Sequence, residues 1–305
     1  MSPLAQRLDD YAALRRALGY RPDAARRLLA GFVADVEAAG RSTVTVDAAL
    51  AWAARASTPA ATAARLGVVR GFARYLAGLD PATEVPPVGL VRARRTRPTP
   101  RIFTPAEIAA VMEEAQGLRP GGWAATMSTL VGVLAATGLR PGEAYRLGRH
   151  HVDLDEASLS VIHSKHGKSR RIPLHATTVE ALGHYSALRD AAHGPAPATF
   201  FVDARGRRVD GHAASHSFAG LVGAASTAGG SAERPARLGD LRHTYAVSTL
   251  LSWHRDGVDV PARLPVLSAY LGHNDPHATF WYFEAVPELT ALAARRLERF
   301  WAARP

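Results

Sequence analysis

The chain has 305 residues, 47% hydrophobic and 21% charged, which suits a soluble globular protein of two domains with a sizeable core. It contains no cysteine, which excludes disulfides, thiolate metal sites and cysteine nucleophiles, and no apolar run reaches the roughly 18 residues of a membrane-spanning helix. A formal net charge of +10 points to a polyanionic partner, because neutralised phosphates release condensed counterions, although GC-rich coding that inflates arginine and alanine gives the same surplus.

The polar start MSPLAQRLDD, with its early acidic residues, is not a secretory leader, so a cytoplasmic protein with no membrane partner is expected. Residues 1–85 read as a small helical domain. Leu4, Leu8, Tyr11, Leu14 and Leu18 recur at helical steps, and Gly19 ends that stripe. A second helix follows from Ala25 to about Ala39, and a third starts after a cap at Thr45 or Asp47. A fourth runs through Leu66, Val69, Phe72 and Leu76, where Arg65, Arg70 and Arg74 make either a basic face or a solvated surface.

Residues 86–101 change character. Pro86, Pro87, Pro98 and Pro100 forbid a continuous helix, and Arg92, Arg94, Arg95 and Arg97 form an extended basic strap suited to a phosphate backbone. A plain linker fits the same composition. Residues 102–305 are expected to form a larger, mainly α domain with one small antiparallel β-sheet. Thr104-Pro-Ala-Glu107 has the form of a capping box with proline at the first helical position. Residues 158–163 alternate as a strand, Gly167 turns the chain, and residues 171–174 return as the second arm of a hairpin. Helices dominate again from Thr178, ending in an amphipathic stretch over 287–301. No internal repeat is found.

Only two of the 37 lysine and arginine residues are lysine, Lys165 and Lys168, and both sit in this one hairpin. An arginine stays protonated and makes a poor acid, whereas a lysine gives up its proton when its surroundings press on its pKa.

Four stretches of the second domain follow in order: Ala135-Ala-Thr-Gly-Leu-Arg140-Pro-Gly-Glu143, the lysine hairpin, Leu238-Gly-Asp-Leu-Arg242-His243-Thr-Tyr, and Leu271-Gly-His273 with Tyr282 nine residues on. Together they resemble the tyrosine recombinase (phage integrase) family. The resemblance covers the second domain closely, and the first resembles the family's helical core-binding (SAM-like) domain. It implies a site-specific recombinase that cleaves double-stranded DNA from a clamp of two domains, with a homotetramer in the synaptic complex, no cofactor, no metal and a nucleoid-associated life. Arg140 and Arg242 are then the bidentate phosphate clamp, His273 a further donor, Lys165 the acid for the leaving 5′ oxygen, and Tyr282 the nucleophile. Lys168, Arg170 and the strap arginines Arg92, Arg94, Arg95 and Arg97 are expected to contact DNA. Glu143 either orients the arginines or makes an ordinary helical ion pair with Arg140.

One position departs from the family pattern. Gly239 stands where the second motif usually has histidine. Another histidine such as His243 replaces it, the enzyme runs slowly without it, or the protein is impaired. Because His243 adjoins Arg242 on a helix, its ring is expected to point elsewhere, which favours a weakened site. The adjacent pair His150 and His151 is expected at the surface, and Trp281 and Phe283 in packing. A DNA-binding protein of this fold that no longer cleaves and a relaxing type IB topoisomerase remain alternatives, with a metal-dependent hydrolase more remote.

Overall fold

Helical spacing in the sequence becomes helix along most of the chain. The computed structural model describes residues 3–20, 22–93, 99–162, 169–195, 198–226 and 235–272, together with Tyr282 and Ala294. It divides into two units, Met1–Pro98 and Thr99–Pro305, a division that falls within the 86–101 segment.

The first unit holds α1 (Pro3–Ala17), α2 (Asp23–Ala38), α3 (Val46–Ala53) and α4 (Pro59–Ala77). Leu4, Leu8, Phe32, Val36, Val69 and Phe72 meet in its core. The stripe on α1 leaves that core at its C-terminal end, so Leu14 and Leu18 are exposed. Thr45 and Thr58 cap α3 and α4, each hydroxyl accepting a backbone N–H three residues on at 3.2 Å. Two of the three α4 arginines act inside the unit. Arg65 lies over the Trp52 ring, and Arg70 donates to the carbonyls of Pro86 and Pro87 at 2.6 and 2.8 Å, fastening the start of the proline segment. Arg74 and Arg92 are exposed.

The second unit is built around α6 (Gly121–Thr137), whose buried arc is wide, with Thr126 and Val133 buried beside the stripe of Met127, Leu130, Val131 and Leu134. Around it pack α5 (Pro105–Gln116), α8 (Ala176–His193), α9 (Gly211–Ala225) and α10 (Leu238–Arg255). The capping box of α5 forms: Glu107 Oε2 accepts from the Thr104 N–H at 2.8 Å, and Thr104 Oγ1 accepts from the Glu107 N–H at 3.2 Å. A short α7 (Pro141–Ala144) and a 3-10 turn (Arg149–His151) lead into the sheet, and α11 (Val260–Leu271) follows α10. His150 and His151 sit in that turn, where His151 Nδ1 accepts from the Gly148 N–H at 2.8 Å.

The sheet has three antiparallel strands in the order β1 (Val152–Asp153), β2 (Ser158–Val161) and β3 (Arg170–Pro173). In register, Leu159 faces Ile172, both buried, and Val161 faces Arg170. The hairpin arms match the sequence reading to within a residue or two. Strand β1 was not anticipated, because two residues are too few to show alternation. The architecture is thus mainly helical with a small antiparallel sheet.

Helices α6 and α11 end on left-handed glycines, Gly138 (φ +61°) and Gly272 (φ +66°). At Gly138 a Cβ would lie 2.6 Å from Cδ1 of Tyr245, a ring already stacked on Tyr270. Gly138→Ala therefore adds a clash to the roughly 1–2 kcal/mol of a left-handed non-glycine residue. Thermal unfolding should show a loss of at least that size, whereas Gly121→Ala, in open space at the start of α6, should not.

Candidate active site

The site is assembled where helix ends meet. A helix C-terminus leaves carbonyls without intrahelical partners, and its dipole favours a cation there. Arg242, in the second turn of α10, answers two such ends at once. Its Nη1 donates to the Gly138 carbonyl at 2.9 Å, closing α6, and its Nη2 to the Leu271 carbonyl at 2.6 Å, closing α11. Burial and the neighbouring Arg140 charge pull its pKa down to about 10, so it stays a cation at neutral pH. Arg140, two residues past Gly138, donates through Nη2 to the Gly272 carbonyl at 2.9 Å. The residue after Gly272 is His273.

Glu143 is the anion that sets this cluster, and its side chain is only 2% exposed. Its Oε1 accepts from Arg140 Nη1 at 2.9 Å and Arg170 Nη1 at 3.2 Å; its Oε2 accepts from Arg170 Nη2 at 2.7 Å and the Arg140 backbone N–H at 3.1 Å. Burial alone raises the carboxyl pKa, but hydrogen bonds and charge from Arg170 and Arg140 outweigh it, leaving it below the ordinary value. The carboxylate is ionised and bridges two guanidinium groups. It does more than make a helical pair with Arg140.

Arg170, expected among the DNA contacts, points inward to Glu143 from the first position of β3. A Cβ on Gly272 would lie 3.0 Å from its Nη1, so the α11 cap and the hairpin base are in close contact. The Glu143–Arg170 link spans 27 positions, and no local spacing marks it.

Tyr282 is buried against Val247, Leu250, Leu264 and Leu271. Its hydroxyl lies 3.1 Å from Nδ1 of His243, with the two rings edge to face. This corrects the expectation that His243 points elsewhere. Adjacency to Arg242 was the wrong guide: Arg242 turns to the helix ends while the next side chain meets the tyrosine. Gly239, one turn earlier, has open space where its Cβ would be.

The structure thus brings together Arg140, Glu143, Arg170 and Arg242, and sets Tyr282 beside His243. Lys165, Lys168, His273, Arg94, Arg95, Arg97, Trp281 and Phe283 lie outside the described residues, as does the 287–301 segment apart from Ala294. Among the described residues no group of three His, Cys, Asp or Glu is placed to hold a metal ion, and no helix is long and apolar enough to cross a membrane.

Residues 101–288 match the model of the phage integrase family. The integrase/recombinase y4rB of Sinorhizobium fredii is 38% identical over 315 residues, covering 99% of this chain and 99% of its own. The chain belongs to the phage integrase family, the tyrosine recombinases. The tyrosine recombinase XerD of Bradyrhizobium diazoefficiens is 26% identical over 92% of this chain and 84% of its own. In fold, the recombinase is similar to the integrase of transposon Tn1549 in complex with transposon right-end DNA, at a TM-score of 0.64 and 18% identity over 97% of this chain and 99% of that one. Membership makes the protein a DNA strand-transfer enzyme of site-specific recombination.

Arg242→Lys tests this closure of two helix ends. A lysine keeps the charge but has one nitrogen, which cannot span the Gly138 and Leu271 carbonyls in the fork geometry of a guanidinium. Thermal unfolding should show a loss of about 1–3 kcal/mol, the cost of leaving a buried carbonyl without its partner.

Proposed function

We propose that this protein cleaves and rejoins specific DNA sites through a 3′-phosphotyrosyl link to Tyr282. The observation that supports the reading is the Tyr282 hydroxyl beside His243 and near enough to the Arg242 guanidinium for the two to interact electrostatically, with the Arg140–Glu143–Arg170 network next to that arginine. Tyr282 attacks the phosphorus, and the guanidinium groups of Arg140 and Arg242 take up the charge of the pentavalent intermediate. His273 adds a donor, and Lys165 gives a proton to the leaving 5′ oxygen. The link conserves the phosphoester bond, so a 5′ hydroxyl of another strand reverses the step with no outside energy source. Because the cations surround the phosphate, the chemistry asks for no metal.

Residues 1–85 and the arginines at 92, 94, 95 and 97 contribute to duplex binding, with Lys168 beside Lys165 in the hairpin. Exchange between two duplexes involves four strands and four tyrosines, hence a homotetramer on DNA. The similarity to a transposon integrase supports a mobile-element role, integration or excision. Gly239 favours one competing reading, a recombinase fold that binds DNA with impaired cleavage.

Nicked suicide duplexes carrying DNA from beside the protein's own gene, with a randomised library alongside, decide between them. The expected product is a denaturation-resistant protein–DNA adduct whose nucleotide maps by peptide sequencing to residue 282. Duplexes that bind but yield no adduct, or an adduct on another residue, would sink the cleaving role of Tyr282.

A further inference from the structure

A phenol attacks phosphorus only as its proton leaves, and the residue that usually serves beside the second arginine is absent here, since position 239 is glycine. Gly239 and His243 are four residues apart on α10, and that spacing places both on one helix face, one turn apart. A Cβ on Gly239 would meet nothing within 4 Å, so the face is open at the vacant position. One turn further on, His243 Nδ1 sits 3.1 Å from the Tyr282 hydroxyl, within hydrogen-bond reach for proton transfer. The edge-to-face arrangement of the rings, with centroids 5.6 Å apart, keeps the hydroxyl beside the imidazole edge that bears the nitrogen. The Arg242 side chain between them in sequence turns the other way, to the Gly138 and Leu271 carbonyls, and does not compete for the imidazole.

We propose that His243 is the general base of this recombinase, taking the proton of Tyr282 from one helical turn beyond the position where Gly239 leaves no side chain. The inference rests on the strand-cleaving role of Tyr282. In the cleavage step the Oη–P bond forms as the P–O5′ bond breaks. The phenolic proton passes to Nδ1 of neutral His243, whose ring carries its own proton on Nε2, and O5′ takes a proton from Lys165. Rejoining runs the same path backwards: the incoming 5′ hydroxyl returns its proton to Lys165, and the departing tyrosinate recovers one from His243. Protons and bonds balance with no further reactant. On this account Gly239 is not a lesion, because the base has been relocated along the helix.

The test measures adduct formation on suicide duplexes for the parent, His243→Ala, the double variant Gly239→His with His243→Ala, and Tyr282→Phe, with duplex binding followed in parallel. His243→Ala should bind DNA normally but form adduct on the order of 10²-fold more slowly, at the low end of what a general base contributes. Added imidazole, and more basic methylimidazoles in order of their basicity, should restore part of the rate. The Gly239→His change should restore it as well, by returning an imidazole to the open end of the same face. A His243→Ala rate within about threefold of the parent overturns the proposal. So does a slow variant that no imidazole rescues, because lost packing beneath Tyr282 would slow the enzyme without any response to an added base. Failure of the underlying reading looks different: the parent itself forms no adduct while binding DNA, or the Tyr282→Phe variant still forms one.

Discussion

Tyr282→Phe is expected to drive covalent adduct formation down by about 10⁴-fold or more, to the floor of a denaturing gel, while leaving DNA binding and the fold almost unchanged. The two halves of that expectation have separate physical origins. The ring belongs to the cluster of Val247, Leu250, Leu264 and Leu271 and is nearly inaccessible, so phenylalanine preserves almost all of the apolar contact. The hydroxyl is lost, and the hydrogen bond to His243 goes with it, a net contribution of about 1 kcal/mol. The chemistry has no such reserve, because no other atom of the side chain can form the bond to phosphorus. Filter binding, thermal unfolding and the adduct assay on one preparation check both halves. An adduct that survives the substitution removes Tyr282 from the mechanism, and a collapse of thermal stability makes the variant uninformative about it, so both readings need the same sample.

What was legible in the sequence was whatever is carried by neighbours in sequence. The α5 cap is written in four consecutive residues, Thr104 to Glu107, and it forms as read. Thr45 behaves likewise at α3. The hairpin arms on either side of Lys165 and Lys168 follow from alternation and a turn glycine, and their bounds fall within a residue or two of that reading. The family was legible because its motifs keep their order along the chain. What was not legible depends on strand register or on which way a side chain leaves a helix. Arg170 reads as a surface cation in the sequence, and it reaches Glu143 only because β3 pairs with β2 so that Arg170 lies opposite Val161. Arg70 reads as part of a basic face, and it fastens the carbonyls of Pro86 and Pro87 instead. Adjacency to Arg242 suggests that His243 diverges from the site, whereas the four-residue step from Gly239 sets it on the same face of α10, where it meets Tyr282.

Glu143→Ala should strongly destabilise the second unit. Glu143 holds Arg140 and Arg170 together through both oxygens, from a nearly inaccessible position. Taking one partner out of a buried ionic group costs about 3–5 kcal/mol, because the charges left behind have lost both solvent and counterion. Here the alanine leaves two guanidinium groups facing each other, with Arg242 close enough that Arg140 already lowers its pKa. Removing the cation as well should soften the effect: Glu143→Leu combined with Arg170→Met should cost less than Glu143→Ala alone. Denaturant unfolding of the three proteins at neutral pH measures this, and equal losses for the single and double variants would contradict it. The pH dependence follows from the same bonds. The folded carboxyl titrates below its ordinary value, so its stabilisation is complete above the usual glutamate range near about 4.3 and is lost as the pH falls through and below that range. The stability gap between the parent and Glu143→Ala should therefore be constant from about pH 5 to neutrality and narrow progressively as the pH is lowered further. Cleavage should fall with the fold's precision in the variant even where the protein remains folded, since Arg140 loses the carboxylate that aims it while keeping only the Gly272 carbonyl.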